Sequence, residues 1–191
     1  AIELLLDNIE EDFYHLHLLI NDNKENYLII LGNQGTGKTA GIVAEAVNFF
    51  EEKSHLPILV HAKDFCEGDT WTNIICNSVG LSNEWSEREL LAALQISAIL
   101  KNNVDSDFKV NAQCVICVDG IDESKSWDFW KNKIDEVRAY KKDFPRIKFI
   151  FLSRPYVFNE AYESHRFTNL IFLPTNGDSD IEVLCEKYFL Y

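Results

Sequence analysis

Eight consecutive residues, Gly32-Asn33-Gln34-Gly35-Thr36-Gly37-Lys38-Thr39, fit the pattern G-x-x-x-x-G-K-[ST] at every fixed position. The spacing has a chemical reason. Glycines let the backbone turn tightly enough for successive N–H groups to converge on a phosphate. A helix beginning near Lys38 adds its positive N-terminal end. Lys38 then reaches the β- and γ-phosphates, and the Thr39 hydroxyl ligates Mg²⁺. Ala40 closes the stretch expected to hold a nucleotide. Chance gives such a match in a chain of this length less than about once in a hundred. A rival exists, because Gly35-x-Gly37-x-x-Ala40 also satisfies the dinucleotide pattern G-x-G-x-x-[GA]. That motif needs an acid about 20 residues on, at the end of the second strand. Asp64 lies further away and past the strand, and Lys38-Thr39 would have no role.

Two further strand ends carry chemistry. The apolar run Val115-Ile116-Cys117-Val118 ends on Asp119, and Gly120-Ile121-Asp122-Glu123 follows. In phosphate-loop proteins an acid at such a position holds the Mg²⁺ shared with the loop Thr. Asp119 takes that role. Carboxylates beside Mg²⁺ and a γ-phosphate are suited to orienting and deprotonating a water, and Glu123 is the first candidate base with Asp122 the second. Phe149-Ile150-Phe151-Leu152-Ser153-Arg154-Pro155 places an arginine just beyond another apolar strand. A guanidinium there faces the crevice where ligands bind in open α/β sheets. It is suited to pairing with a γ-phosphate and so distinguishing ATP from ADP.

These groups need a scaffold, and the hydrophobic periodicity supplies one. Ile2, Leu5, Leu6, Ile9, Phe13, Leu16 and Ile20 recur at steps of three and four, as on an amphipathic helix. Short apolar strands are expected at 27–31, 58–60, 114–118, 147–152 and 170–173. Helical patterns lie between them, around 42–50, 70–79, 86–100 and 127–140. Pro57 is read as closing the connector before the second strand. The helix at 86–100 carries a capping box, Ser86 with Glu89, and a last helix is capped by Ser179 and Glu182. Strands apolar throughout and alternating with helices argue an α/β fold on a parallel sheet. One domain is expected over 1–191: an N-terminal helix at 1–22, a nucleotide-binding core at 27–173 and a closing helical stretch at 175–191.

Composition narrows the partners. The chain has 191 residues, 47% of them hydrophobic, so it can bury a core. Lys+Arg total 18 against 31 Asp+Glu, a net charge of −13. Non-specific nucleic acid and membrane surfaces are therefore not expected as partners. Five widely spaced Cys without a signal peptide suggest free thiols in a cytoplasmic setting. The chain has no Met and begins at Ala1, which reads as a piece of something longer.

The three elements together resemble the NACHT type of STAND nucleotide-triphosphatase: G-N-Q-G-T-G-K-T, then a strand into D-G-I-D-E, then a strand into S-R-P. The D-G-x-D-E form separates NACHT from NB-ARC, whose strand typically runs into D-D. Arg154 stands where AAA+ proteins commonly have Asn. The resemblance covers residues 27–189 and implies that the stretch at 175–191 is the start of a helical lid. It implies a three-layer P-loop NTPase fold with a five-stranded sheet in the order 5-1-4-3-2, so the Arg154 strand lies between the P-loop and Asp119 strands. It also implies a switch using ATP/ADP and Mg²⁺. ADP holds a closed monomer, a sensed ligand opens it, and ATP-bound protomers self-oligomerise and trigger an effector. The sensed ligand and the effector are unknown. Trp127, Trp130 and Ser153-Arg154-Pro155-Tyr156 look more like the prokaryotic antiviral STAND proteins than animal inflammasome receptors. Two parts of the family are missing, the winged-helix segment with its phosphate-contacting His and the C-terminal sensor array. Slow hydrolysis by this piece alone is expected.

Two other readings stay open at this point. One is a P-loop kinase passing the γ-phosphate to a small acceptor, although no arginine cluster suited to clamping an acceptor is evident. The other is an ADP-bound scaffold without turnover. ATP is expected rather than GTP. Other features have plainer explanations. Cys114 and Cys117, three apart on a strand, point to opposite faces and read as packing rather than a metal or redox pair. His15 and His17 cannot share a helix face. Asp178, Asp180 and Glu182 suit a helix's first turn. Trp127 and Trp130 read as core.

Overall fold

Every side chain of the strand Tyr27–Leu31 (β1) is buried, as is every one of Cys114–Asp119 (β3). A strand with no polar face must be covered on both sides, which is the condition of a parallel sheet inside an α/β fold. The computed structural model describes residues 25–32, 55–105, 112–156, 158 and 170–172. Within them β1 pairs with Ile147–Ser153 (β4), β4 with β3, and β3 with Leu56–His61 (β2), all in parallel. These four strands run in the order 1-4-3-2. The three-residue strand Leu170–Phe172 (β5) joins β1 on its other side, giving β2-β3-β4-β1-β5. The Arg154 strand thus lies between the P-loop strand and the Asp119 strand.

Three helices are described: Trp71–Val79 (α1), Glu87–Asp105 (α2) and Trp127–Tyr140 (α3). They join one core with alternate strand residues, among them Ile29, Leu31, Val60, Ile116, Val118, Phe149 and Phe151. Trp71 is the hub. Its ring lies 4.9 Å from Phe149 and 6.2 Å from Trp130, both tilted or edge-on as aromatic quadrupoles prefer. The other strand residues, Leu28, Ile30, Val115, Cys117, Ile150 and Leu152, are buried as well. Cys114 joins the helix-covered core and Cys117 does not, in line with side chains on opposite faces.

Local signals account for the helix ends. Thr70 Oγ1 accepts from the Asn73 amide at 3.2 Å, and α1 stops at Gly80, in the left-handed region with φ 71°. Ser86 and Glu89 form the expected capping box, the Ser86 amide donating to Glu89 at 3.0 Å and the Glu89 amide to Ser86 Oγ at 3.4 Å. Ser126 caps α3. Two boundaries differ from the sequence reading by two residues or more. Helix α2 continues to Asp105, and β2 begins at Leu56, so Pro57 lies inside a strand. The Leu56 amide donates to Gln113 O at 2.8 Å, toward β3, so Pro57 in the next position faces the open edge. Its missing N–H therefore breaks no ladder bond and leaves the edge one donor short for stray pairing. The helices expected at 1–20, 42–50 and after Ser179 lie outside the described residues. No described helix is long and apolar enough to cross a membrane.

Candidate functional site

Parallel strands put all their carboxyl ends on one lip of the sheet, and the chemistry-bearing residues sit there. The Gly32 amide, at the first position of the phosphate-loop motif, donates to Ser153 O at 3.0 Å. That bond ties the mouth of the loop to β4 one residue before Arg154. The rest of the motif, residues 33–40 with Lys38, Thr39 and Ala40, lies outside the described residues.

On the next strand over, Asp119 is the last residue of β3 and is 8% exposed. The chain then reverses. Gly120 adopts φ 72°, a left-handed conformation, and opens the 3-10 turn Ile121–Glu123. The Glu123 amide closes the turn on Gly120 O at 2.8 Å, and Ile121 is fully buried beneath it. This turn carries Asp122 back against β4. There one carboxylate oxygen accepts the Arg154 backbone amide at 3.0 Å and the other accepts Arg154 Nε. The Asp122 side chain is 4% exposed and that of Arg154 37%. The Asp122 carboxylate holds the Arg154 guanidinium above its ordinary pKa, first by the hydrogen bond and then by its charge. Glu123 is solvent-exposed.

Of the five candidate catalytic residues, four are described, and they gather on this lip. Asp122, the second candidate base, is engaged by Arg154 instead of standing open to water. That pairing spans 32 positions, and no local pattern announces it. For Mg²⁺ the donor set is suitable at Asp119, a hard oxygen ligand at the lip. Mg²⁺ is commonly held by one or two carboxylates with phosphate oxygens and waters filling the remaining positions.

No family model matches the chain, and no curated protein matches it. Solved structures do. Cdc6p from Pyrobaculum aerophilum is similar with TM-score 0.55 at 17% identity, over 94% of this chain and 48% of that one. Drosophila ORC bound to GC-rich DNA and Cdc6 is similar with TM-score 0.58 at 10% identity, over 99% of this chain and 32% of that one. The fold is a parallel-sheet α/β fold of the kind these structures share. At these identities the likeness is one of fold. The chain spans under half the length of these structures.

In such a fold the ligand crevice lies outside the carboxyl ends of the strands, where Gly32, Asp119 and Arg154 sit. One string could mislead about the base. Asn132-Lys133-Ile134-Asp135 matches the N-K-x-D pattern with which G proteins read guanine, but it lies in the middle of α3. Lys133 is 7% exposed there, bonded to Glu136 at 2.8 Å and set over the Phe129 ring, and Ile134 is fully buried. The expectation of ATP rests on the absence of that string, which the sequence contradicts. Its placement inside α3 removes it as evidence for guanine and leaves ATP an expectation.

The remaining sequence features fall as follows. Cys114 and Cys117 are buried, and burial pushes both thiols up to about 12, aided by Cys117 beside Cys114 and by Asp119 beside Cys117. Of the tryptophan pair, Trp130 is core and Trp127 is 41% exposed, because α3 turns only one of them inward. His15, His17, Asp178, Asp180 and Glu182 lie outside the described residues.

Proposed function

We propose that this chain is the Mg²⁺–ATP binding and hydrolysing switch domain of a STAND defence protein of NACHT type. The observation that carries the reading is the convergence on one lip of Gly32, Asp119 and Arg154, from three adjacent strands. The phosphate-loop sequence supplies the rest. Lys38 and the loop amides hold the phosphates, and Thr39 with Asp119 would hold Mg²⁺, which supplies charge neutralisation on the transferring phosphoryl group. Glu123, exposed beside that site, orients and deprotonates the attacking water. Arg154 pairs with the γ-phosphate and so makes the domain's state depend on which nucleotide is bound. The D-G-I-D-E and S-R-P strings favour NACHT over other P-loop branches. In the full protein, ATP-bound copies would assemble and engage an effector.

Calorimetric titration with ATP tests the reading. Lys38→Ala abolishes binding, and Glu123→Gln keeps binding while slowing phosphate release. A Lys38→Ala variant that bound ATP as the parent does would sink the nucleotide reading. Normal turnover by Glu123→Gln would remove only the base assignment.

A further inference from the structure

We propose that Asp122 is a positioning residue for Arg154, fixing its backbone and guanidinium so that the end-on donors remain available to a γ-phosphate. The proposal rests on the nucleotide reading above and deepens it. A guanidinium carries five N–H donors. Asp122 takes the one on Nε with one oxygen and the Arg154 backbone amide with the other. The four on Nη1 and Nη2 are not used in another hydrogen bond among the described residues. The two partners differ in exposure as an anchor and a reader should. The Asp122 side chain is 4% exposed and held in a closed turn, whereas that of Arg154 reaches solvent at 37%. An arginine free at this lip would have to lose several rotamers when it met a phosphate. One already held side-on has much of that ordering behind it before ligand arrives.

The same contact links two parts of the site. Asp122 stands three residues beyond Asp119 and one before Glu123, on a turn pinned by fully buried Ile121. A displacement of Arg154 by nucleotide is thereby felt in the turn that follows Asp119 and carries Glu123. It also explains why Asp122 is the poorer base. Both its oxygens accept hydrogen bonds, one from a cation, so neither stands open to a water.

The test uses the full chain with Asp122→Asn, Arg154→Ala and the double variant. Asparagine keeps the shape but turns an NH₂ toward a donor, so one of the two bonds is lost. Titration with ADP and with a non-hydrolysable ATP analogue gives the affinity ratio. Charge-assisted hydrogen bonds of this kind predict that Asp122→Asn lowers the preference for the ATP analogue about tenfold. In the Arg154→Ala background it lowers it no further. Urea unfolding without nucleotide gives an independent readout. The double variant should lose less stability than the sum of the two singles, because Arg154→Ala alone leaves a buried carboxylate without its cation. A preserved ratio in Asp122→Asn, further loss of it in the double, or additive unfolding effects would each overturn the proposal. Slowed hydrolysis with a preserved ratio would make Asp122 a base. Lys38→Ala separates the two levels. If it binds nucleotide as the parent does, the nucleotide reading and this proposal fall together. If it does not, a preserved ratio in Asp122→Asn removes this proposal alone.

Discussion

At the scale of single residues, the lip depends on one glycine. Gly120 must reverse the chain after Asp119, and its φ of 72° is a conformation that costs other residues about 1–2 kcal/mol. Among the described residues an added Cβ would meet the Glu123 side chain first, at 3.5 Å, an ordinary contact. The cost of Gly120→Ala is therefore one of backbone strain, and it should lower the urea unfolding free energy by that amount. The buried thiols make a second prediction. Burial pushes the Cys114 and Cys117 thiols up from the ordinary value of 9.0 to about 12 in the folded chain. Below about pH 9 both states keep these protons and the thiols contribute no pH dependence. Above it the unfolded chain releases them first, so stability falls as pH rises from about 9 toward about 12. The slope is at most roughly 1.4 kcal/mol per pH unit for each thiol. Urea midpoints at about pH 8 and about pH 10 check the sign. Alkylation of the native protein near neutral pH should mark exposed Cys66 and spare Cys114 and Cys117.

At the scale of elements, each described helix is started by a side chain the sequence displays. Ser86 is the clearest, since it both accepts the Glu89 amide and is reached by the Glu89 carboxylate. Ser86→Ala should cost about 1 kcal/mol of stability, read as a shifted denaturant midpoint with an unchanged slope. The helices are held to the sheet by aromatic packing rather than by ion pairs. Those present are mostly exposed, such as Arg88 with Asp143 at 3.2 Å, and contribute little. Trp71 is fully buried among Phe149, Phe151 and Trp130. Trp71→Ala should cost about 3–5 kcal/mol, a loss that approaches the whole stability of many domains. Thermal unfolding followed by circular dichroism would register it.

At the scale of the whole molecule, three pieces of chain about 30 or more residues apart meet at the lip, so the proposed nucleotide binding would be linked to global stability. ADP at a hundred times its dissociation constant should stabilise the fold by about 2.7 kcal/mol, seen as a raised Tm. The Lys38→Ala variant should melt at one temperature with or without ADP. The strand order makes this linkage direct. The Gly32–Ser153 bond couples β1 to β4, and the Asp122–Arg154 contact couples the turn after β3 to β4. A ligand held by the loop, Asp119 and Arg154 thus braces three neighbouring strands at once.

The candidate site residues and the elements that hold them could be read from local sequence alone. The phosphate-loop pattern, the acid ending one apolar strand and the arginine ending another are local, and so are the caps at Thr70, Ser86 and Ser126. Local signals were weaker at boundaries. Pro57 read as a connector because a proline breaks a central strand, and only an edge position facing away from β3 makes it admissible. Asn132-Lys133-Ile134-Asp135 shows the converse, a functional-looking string that burial in α3 assigns to packing. Tertiary structure alone decided what Asp122 does. As one of two acids in a row it is indistinguishable in sequence from Glu123. The left-handed Gly120 and the buried Ile121 rotate one carboxylate into β4, where Arg154 waits, and leave the other in solvent. Pairing of that kind is set by which strands are neighbours, and strand order is a property of the folded sheet.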